Sequence, residues 1–198
     1  MKGFLPVTAA FVLALAMPWE LAAAKYSRSD RQSAVEVGKC KTSLKNLYSC
    51  LKLYAADHEG AFPGKDNAEG LKRLFQSGAT LRDMECQAYS VKSVKKIEDF
   101  REVHSPYIYF GGANYPAALK SYPKLPVICD KPGSRHLYVL TVDGQIDEID
   151  LKKSKRKISN CKELVALLNM VYKYPPDLLK VLQSKAQAID KKVSGKKR

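Results

Sequence analysis

Val37, Cys40, Leu44, Leu47, Leu51 and Tyr54 recur at alternating spacings of three and four residues, the period of one face of an α-helix. Lys39, Lys41, Lys45 and Lys52 fall off that face. The spacing predicts a helix over residues 27–57, in which the polar stretch 27–33 contributes little to a core. Asp57-His58-Glu59-Gly60 ends it, and Phe62-Pro63 fixes the exit. A helix this long with a single apolar stripe must be covered by elements that come later in the chain.

Those later elements are shorter. Residues 68–76 form a second helical pattern, with Asp66 or Asn67 as cap, Leu71, Leu74 and Phe75 inward, and Gly78 as terminator. Residues 107–110, 125–129, 136–142 and 145–149 are rich in aromatic and β-branched side chains and predict strands. Asp143-Gly144 predicts a two-residue type I′ turn between the last two. One long helix followed by an antiparallel sheet defines an α+β class rather than a doubly wound one. Asn160 is placed to cap a further helix to residue 172 with Cys161, Leu164, Val165, Leu168 and Val171 on its apolar side. Pro175-Pro176-Asp177 starts another, with Leu178, Leu182, Ile189 and Val193 on one side and Lys180, Lys185, Lys191 and Lys192 on the rest of its surface. The expected architecture is therefore a long N-terminal helix packed on a small antiparallel sheet, followed by a C-terminal helical hairpin.

Charge divides the chain differently from hydropathy. The 198 residues carry 34 Lys and Arg against 20 Asp and Glu, a net of +14. Residues 151–198 hold 14 of the cations and 3 of the acids, a net of +11. A nearly neutral body thus precedes a strongly basic tail. Such a field favours anionic partners, an acidic envelope polymer or a membrane surface. The candidate polyanion-binding residues are Lys152, Lys153, Lys155, Arg156, Lys157, Lys191, Lys192, Lys196, Lys197 and Arg198. No motif for specific nucleic-acid readout accompanies them.

The N-terminus reads as a targeting segment. Lys2 supplies positive charge, residues 4–17 are mostly apolar, and Ala22-Ala23-Ala24 offers small residues for cleavage after Ala24. Pro6, Thr8, Pro18 and Glu20 interrupt the apolar run, against the roughly 20 residues that a spanning helix needs. Residues 1–24 are expected to be a signal peptide or a retained hydrophobic anchor, residues 25–150 an α+β domain, and residues 151–198 a basic helical tail. Export places the protein in the periplasm or at the cell surface, or holds it at the membrane through residues 4–24. In an oxidising compartment Cys40, Cys50, Cys86, Cys129 and Cys161 allow two disulfides and leave one thiol over. Cys40 and Cys50 on one helix lie about 15 Å apart, too far to bond. Cys40 with Cys86 is the long-range candidate, and the remaining connectivity is open.

The run Cys40-Lys41-Thr42-Ser43-Leu44-Lys45-Asn46-Leu47, continuing through Tyr54-Ala55-Ala56-Asp57-His58-Glu59-Gly60 to Phe62-Pro63, resembles the type IV pilin-like proteins, specifically the globular part of the major pseudopilins of type II secretion. Further landmarks occur in the same order: Leu71 and Leu74, Cys86, residues 107–112, Pro126-Val127-Ile128-Cys129-Asp130-Lys131-Pro132, His136 and Val142-Asp143-Gly144. The resemblance covers about residues 25–150. It implies a pilin-like fold, a non-enzymatic structural or accessory role in the bacterial envelope, and other pilin-like subunits or secretion-system components as partners. Thr8 stands where such proteins carry a Glu, and Gln87 where a Pro is usual. The first of these favours a pilin-like domain behind an ordinary signal peptide over a filament subunit.

Other chemistry has weaker support in the sequence. Asp57, His58 and Glu59 suit a solvated helix end better than a metal or acid–base cluster. Related pseudopilins hold calcium through sheet loops, and Asp130, Asp143, Glu148 and Asp150 are the available carboxylates, although no dense oxygen-rich loop surrounds them. No cofactor is therefore expected. Cys129 and His136 are near in sequence and, across adjacent strands, are the candidate nucleophile and base. The resemblance to a non-enzymatic family implies no enzyme. Tyr107, Tyr109 and Phe110 are read as sheet packing, not a ligand platform.

Overall fold

The computed structural model describes residues 28–84, 94–111, 122–133, 136–151 and 157–194, with side chains from residue 38 onward. Ala24, Cys86, Gln87, Lys152, Lys153, Lys155, Arg156, Lys196, Lys197 and Arg198 lie outside them, as does the whole 1–24 segment. The chain divides into two units, Met1–Val35 and Glu36–Arg198. Of the first, only the start of α1 is described. The sheet, both cores and every other helix belong to the second.

Helix α1 spans Arg28–Ala56, and Cys40, Leu44, Leu47, Leu51 and Tyr54 of its stripe are buried. The helix closes on Gly60, whose N–H donates to the Ala55 carbonyl at 2.8 Å. Glu59 and Gly60 adopt φ of 53° and 78°, the left-handed geometry that ends helices. Helix α2 is Asn67–Arg73 and passes into a 3-10 turn, Leu74–Ser77, before Gly78 at φ 90°. Asp66 holds the cap position, but its carboxylate makes no bond to the helix backbone. It pairs with Lys185 instead.

Four strands, β1 Tyr107–Tyr109, β2 Pro126–Asp130, β3 Leu137–Thr141 and β4 Ile146–Ile149, form one antiparallel sheet in sequential order. Alternate residues serve opposite faces. Tyr107 and Tyr109 join the core under α1 and α2, and Ile108 and Phe110 join a second core on the other side. Pro126 faces Thr141 while Ile128 faces Leu140, so β2 carries a bulge at Val127. The bulge puts Val127 and Ile128 on the same, α1-facing side before Cys129 returns to the other.

The chain then forms α3, Cys161–Tyr172, and α4, Pro176–Ser194. Leu164, Leu168, Leu178, Leu182 and Ile189 pack with Ile108, Phe110, Cys129 and Val139 in the second core. The expected hairpin is present and closes the second face of the sheet, so the division at residue 150 is one of charge and not of packing. Val171, expected on the apolar side of α3, is 48% exposed, and Leu167 is buried instead. The fold is α+β, with four helices and a four-stranded antiparallel sheet among the described residues.

Candidate functional site

The start of α3 and the last turns of α4 meet at one end of the hairpin. Asn160 caps α3 by accepting from the Glu163 N–H at 2.8 Å. One turn from the end of α4, the Asp190 carboxylate accepts from the backbone N–H groups of Cys161 at 2.9 Å and Lys162 at 3.1 Å. This places a negative charge from α4 against the N–H groups of the first turn of α3, where charge and free donors favour it. The chain therefore enters the hairpin where it also leaves. Lys157, Lys162, Lys191 and Lys192 are exposed at this end. Residues 157–194 carry seven Lys against three acids, a net of +4, so most of the +11 belongs to the flanking residues 152–156 and 195–198.

Lys192 also lines a cleft of about 490 Å³ together with Lys72 of α2 and Arg101 and Glu102 of the segment before β1. The Lys72 ammonium donates to the Glu98 carbonyl at 2.8 Å, and the Arg101 guanidinium donates to that same oxygen. Beneath them the buried Glu102 carboxylate accepts from the Asn67 side chain and from the Ala68 N–H. The Lys131 ammonium donates to the Glu102 carbonyl at 2.9 Å, and burial pushes its pKa down. Sequence reading missed Lys72 and Arg101. They lie in a nearly neutral body, far from Lys192 in sequence, and the packing of α4 beside α2 brings them to it.

The remaining candidates are placed less productively. Lys185, expected on the surface of α4, is 6% exposed and pairs with Asp66 at 2.9 Å. Cys129 and His136 are not brought together. Cys129 is fully buried in the hairpin-side core, where burial pushes its thiol up, away from the thiolate a nucleophile requires. His136 lies on the opposite side, 2.8 Å from the Asp130 carboxylate and tilted over the Tyr138 ring. The Tyr138 N–H also donates to Asp130, whose carboxyl is pushed up by burial against the lowering effect of His136.

The four carboxylates considered for calcium are dispersed as well. Asp143 accepts hydrogen bonds in its own turn and Glu148 pairs with Lys41 at 2.9 Å. No group of three or more metal-ligating side chains occurs among the described residues. Asp57, His58 and Glu59 are exposed, and the His58 ring stacks on Tyr54. Tyr107, Tyr109 and Phe110 are buried in the two cores. Cys40 is disulfide-bonded, while Cys50, Cys129 and Cys161 are free thiols. Among the described residues, no helix is long and apolar enough to cross a membrane. Comparison with protein-family models, curated proteins and solved structures finds no match.

Proposed function

We propose that this is a non-enzymatic, exported protein of the bacterial envelope, pilin-like in its helix-on-sheet half, which binds an anionic polymer at the basic end of its helical hairpin. The observation that carries this reading is the Asp190 carboxylate bonded to the first turn of α3. It brings the α3 start, with Lys157 and Lys162, beside the α4 end, with Lys191 and Lys192, so that their fields add. The helix-on-sheet half supplies rigidity and the ordered motifs that resemble those of secretion pseudopilins; the hairpin and the residues flanking it carry the charge.

The test uses the full chain, because the hairpin completes the core. Lys157, Lys162 and Lys191 are changed to Gln together and retention on immobilised heparin is measured over a salt series. Charge-driven binding falls linearly in log–log form with salt. The triple variant should elute at lower salt with a shallower slope; identical elution would remove the hairpin end as the binding element. Export is tested separately by N-terminal sequencing of the mature protein with membrane fractionation. Cleavage after Ala24 supports a signal peptide, and an intact N-terminus in a cytoplasmic fraction overturns export.

A further inference from the structure

We propose that the cleft formed by Lys72, Arg101 and Lys192 binds a carboxylated sugar unit, so that the anionic polymer held by the hairpin end is an acidic polysaccharide. Naming the polymer rests on the function proposed for the hairpin end; the cleft site itself does not.

The cations in this cleft are brought close without a direct ion pair among the described residues. Lys72 and Arg101 both donate to the Glu98 carbonyl oxygen, so their charges sit within one residue's reach of each other. A carbonyl accepts hydrogen bonds but cancels no charge. Among the described residues neither of them, nor Lys192, forms an ion pair. Like charges held together cost free energy that an anion recovers, and a guanidinium beside an ammonium suits a carboxylate.

The rest of the wall argues for a sugar over a bare phosphate chain. Glu69 and Glu102 stand in the same cleft, and Glu98 and Glu69 in an adjoining one of about 670 Å³ that shares Lys72. Carboxylates repel a dense polyanion but accept hydrogen bonds from hydroxyl groups, which a sugar has and a phosphate chain lacks. Phe75 and Ile97 give the second cleft an apolar wall for the C–H face of a ring. Asn67 adds an independent sign. It is 1% exposed, strained at φ 55°, and its Oδ1 has no hydrogen-bond partner among the described residues. It adjoins both Ala68 and Glu102 of the cleft wall. Buried unpaired acceptors are uncommon in native folds, and each calls for an explanation such as a bound partner. The two volumes lie within the roughly 300–1,000 Å³ of small-molecule sites.

Titration calorimetry of the full chain with trigalacturonate, maltotriose and tripolyphosphate tests this. Trigalacturonate should bind and maltotriose should not. Arg101→Gln, and independently Lys72→Gln and Lys192→Gln, should each weaken trigalacturonate about tenfold, the scale of one charge-assisted hydrogen bond. Glu69→Ala should lower the affinity ratio of trigalacturonate to tripolyphosphate. Unchanged trigalacturonate binding in all three cation variants, equal binding of maltotriose, or an unchanged ratio in Glu69→Ala would each overturn the proposal. The two readings separate cleanly. Trigalacturonate binding that the cleft variants weaken, with heparin retention indifferent to the Lys157, Lys162 and Lys191 changes, keeps the cleft and removes the hairpin end. The converse keeps the hairpin end and removes the cleft.

Discussion

A charge taken out of water costs free energy unless it is paired, and the largely buried Lys185 ammonium donates to the Asp66 carboxylate at 2.9 Å. Gly111 makes room for the pair: a Cβ there would collide with the Asp66 carboxylate oxygen. Lys185→Met should therefore cost about 3 kcal/mol by leaving a largely buried carboxylate facing an apolar group. Adding Asp66→Asn should recover most of the loss, and denaturant midpoints for the two singles and the double measure it. A double variant no better than Lys185→Met would show that the pair matters for packing and not for charge. Glu163 illustrates the opposite sign of electrostatics. The Ser159 N–H at 2.7 Å and hydroxyl at 2.9 Å donate to its carboxylate and hold its pKa below the usual range. A carboxyl depressed in the folded state adds stability above the ordinary glutamate pKa and loses it as pH falls through the depressed value. Wild type should exceed Glu163→Gln at neutral pH, and the two should converge on acidification. Unfolding midpoints from about pH 3 to 7 that run parallel would show that Glu163 contributes nothing through its charge.

At the scale of single elements, the β3–β4 turn shows what a dipeptide motif does and does not decide. Asp143-Gly144 marks the turn, yet only Gly144 has positive φ, at 84°. The Gly144 N–H donates to the Thr141 carbonyl at 2.9 Å, and the Thr141 N–H to the Gln145 carbonyl at 3.0 Å. The loop thus has three residues, a turn closed from Thr141 to Gly144 with a left-handed glycine after it, not the two-residue type I′ form. Asp143 explains the choice, because its carboxylate accepts from the Gln145 N–H at 3.1 Å and from the Thr141 hydroxyl, which fixes it short of the left-handed region. Gly144 also lies against α1: a Cβ there would collide with the Tyr48 ring. Gly144→Ala should lose roughly 1–3 kcal/mol of stability; a midpoint shift below a tenth of that range would mean that the turn relaxes freely. Helix positions were legible in the sequence for the same reason that the turn type was not. Periodicity averages over many residues, whereas a turn is decided by one or two side-chain hydrogen bonds.

For the whole molecule, the informative signal was continuity in the strands. Tyr107-Ile108-Tyr109-Phe110 and Leu137-Tyr138-Val139-Leu140 are unbroken apolar runs, and a strand covered on one face only would alternate with polar residues. Their second face needs a partner, and among the described residues α3 with α4 supplies it. The apolar sides of both helices were legible as Leu164, Leu168, Leu178, Leu182 and Ile189, but assigning residues 151–198 to a separate basic tail left open whether they pack on the sheet, which they do. The cleft was not legible at all, because no local pattern links Lys72, Arg101 and Lys192. The three-layer arrangement makes a strong prediction. A chain ending at Asp150 would expose Ile108, Phe110, Leu125, Leu137 and Val139, all nearly fully buried in the native fold. At roughly 1.5–3 kcal/mol for each large apolar side chain, the loss rivals the whole of the roughly 5–15 kcal/mol by which domains are stable. The truncated chain should bind an apolar dye and melt without a cooperative transition, however well the remaining residues match a helix-on-sheet half. A cooperative melt near that of the full chain would instead make the hairpin an accessory layer, and its basic end a separable module.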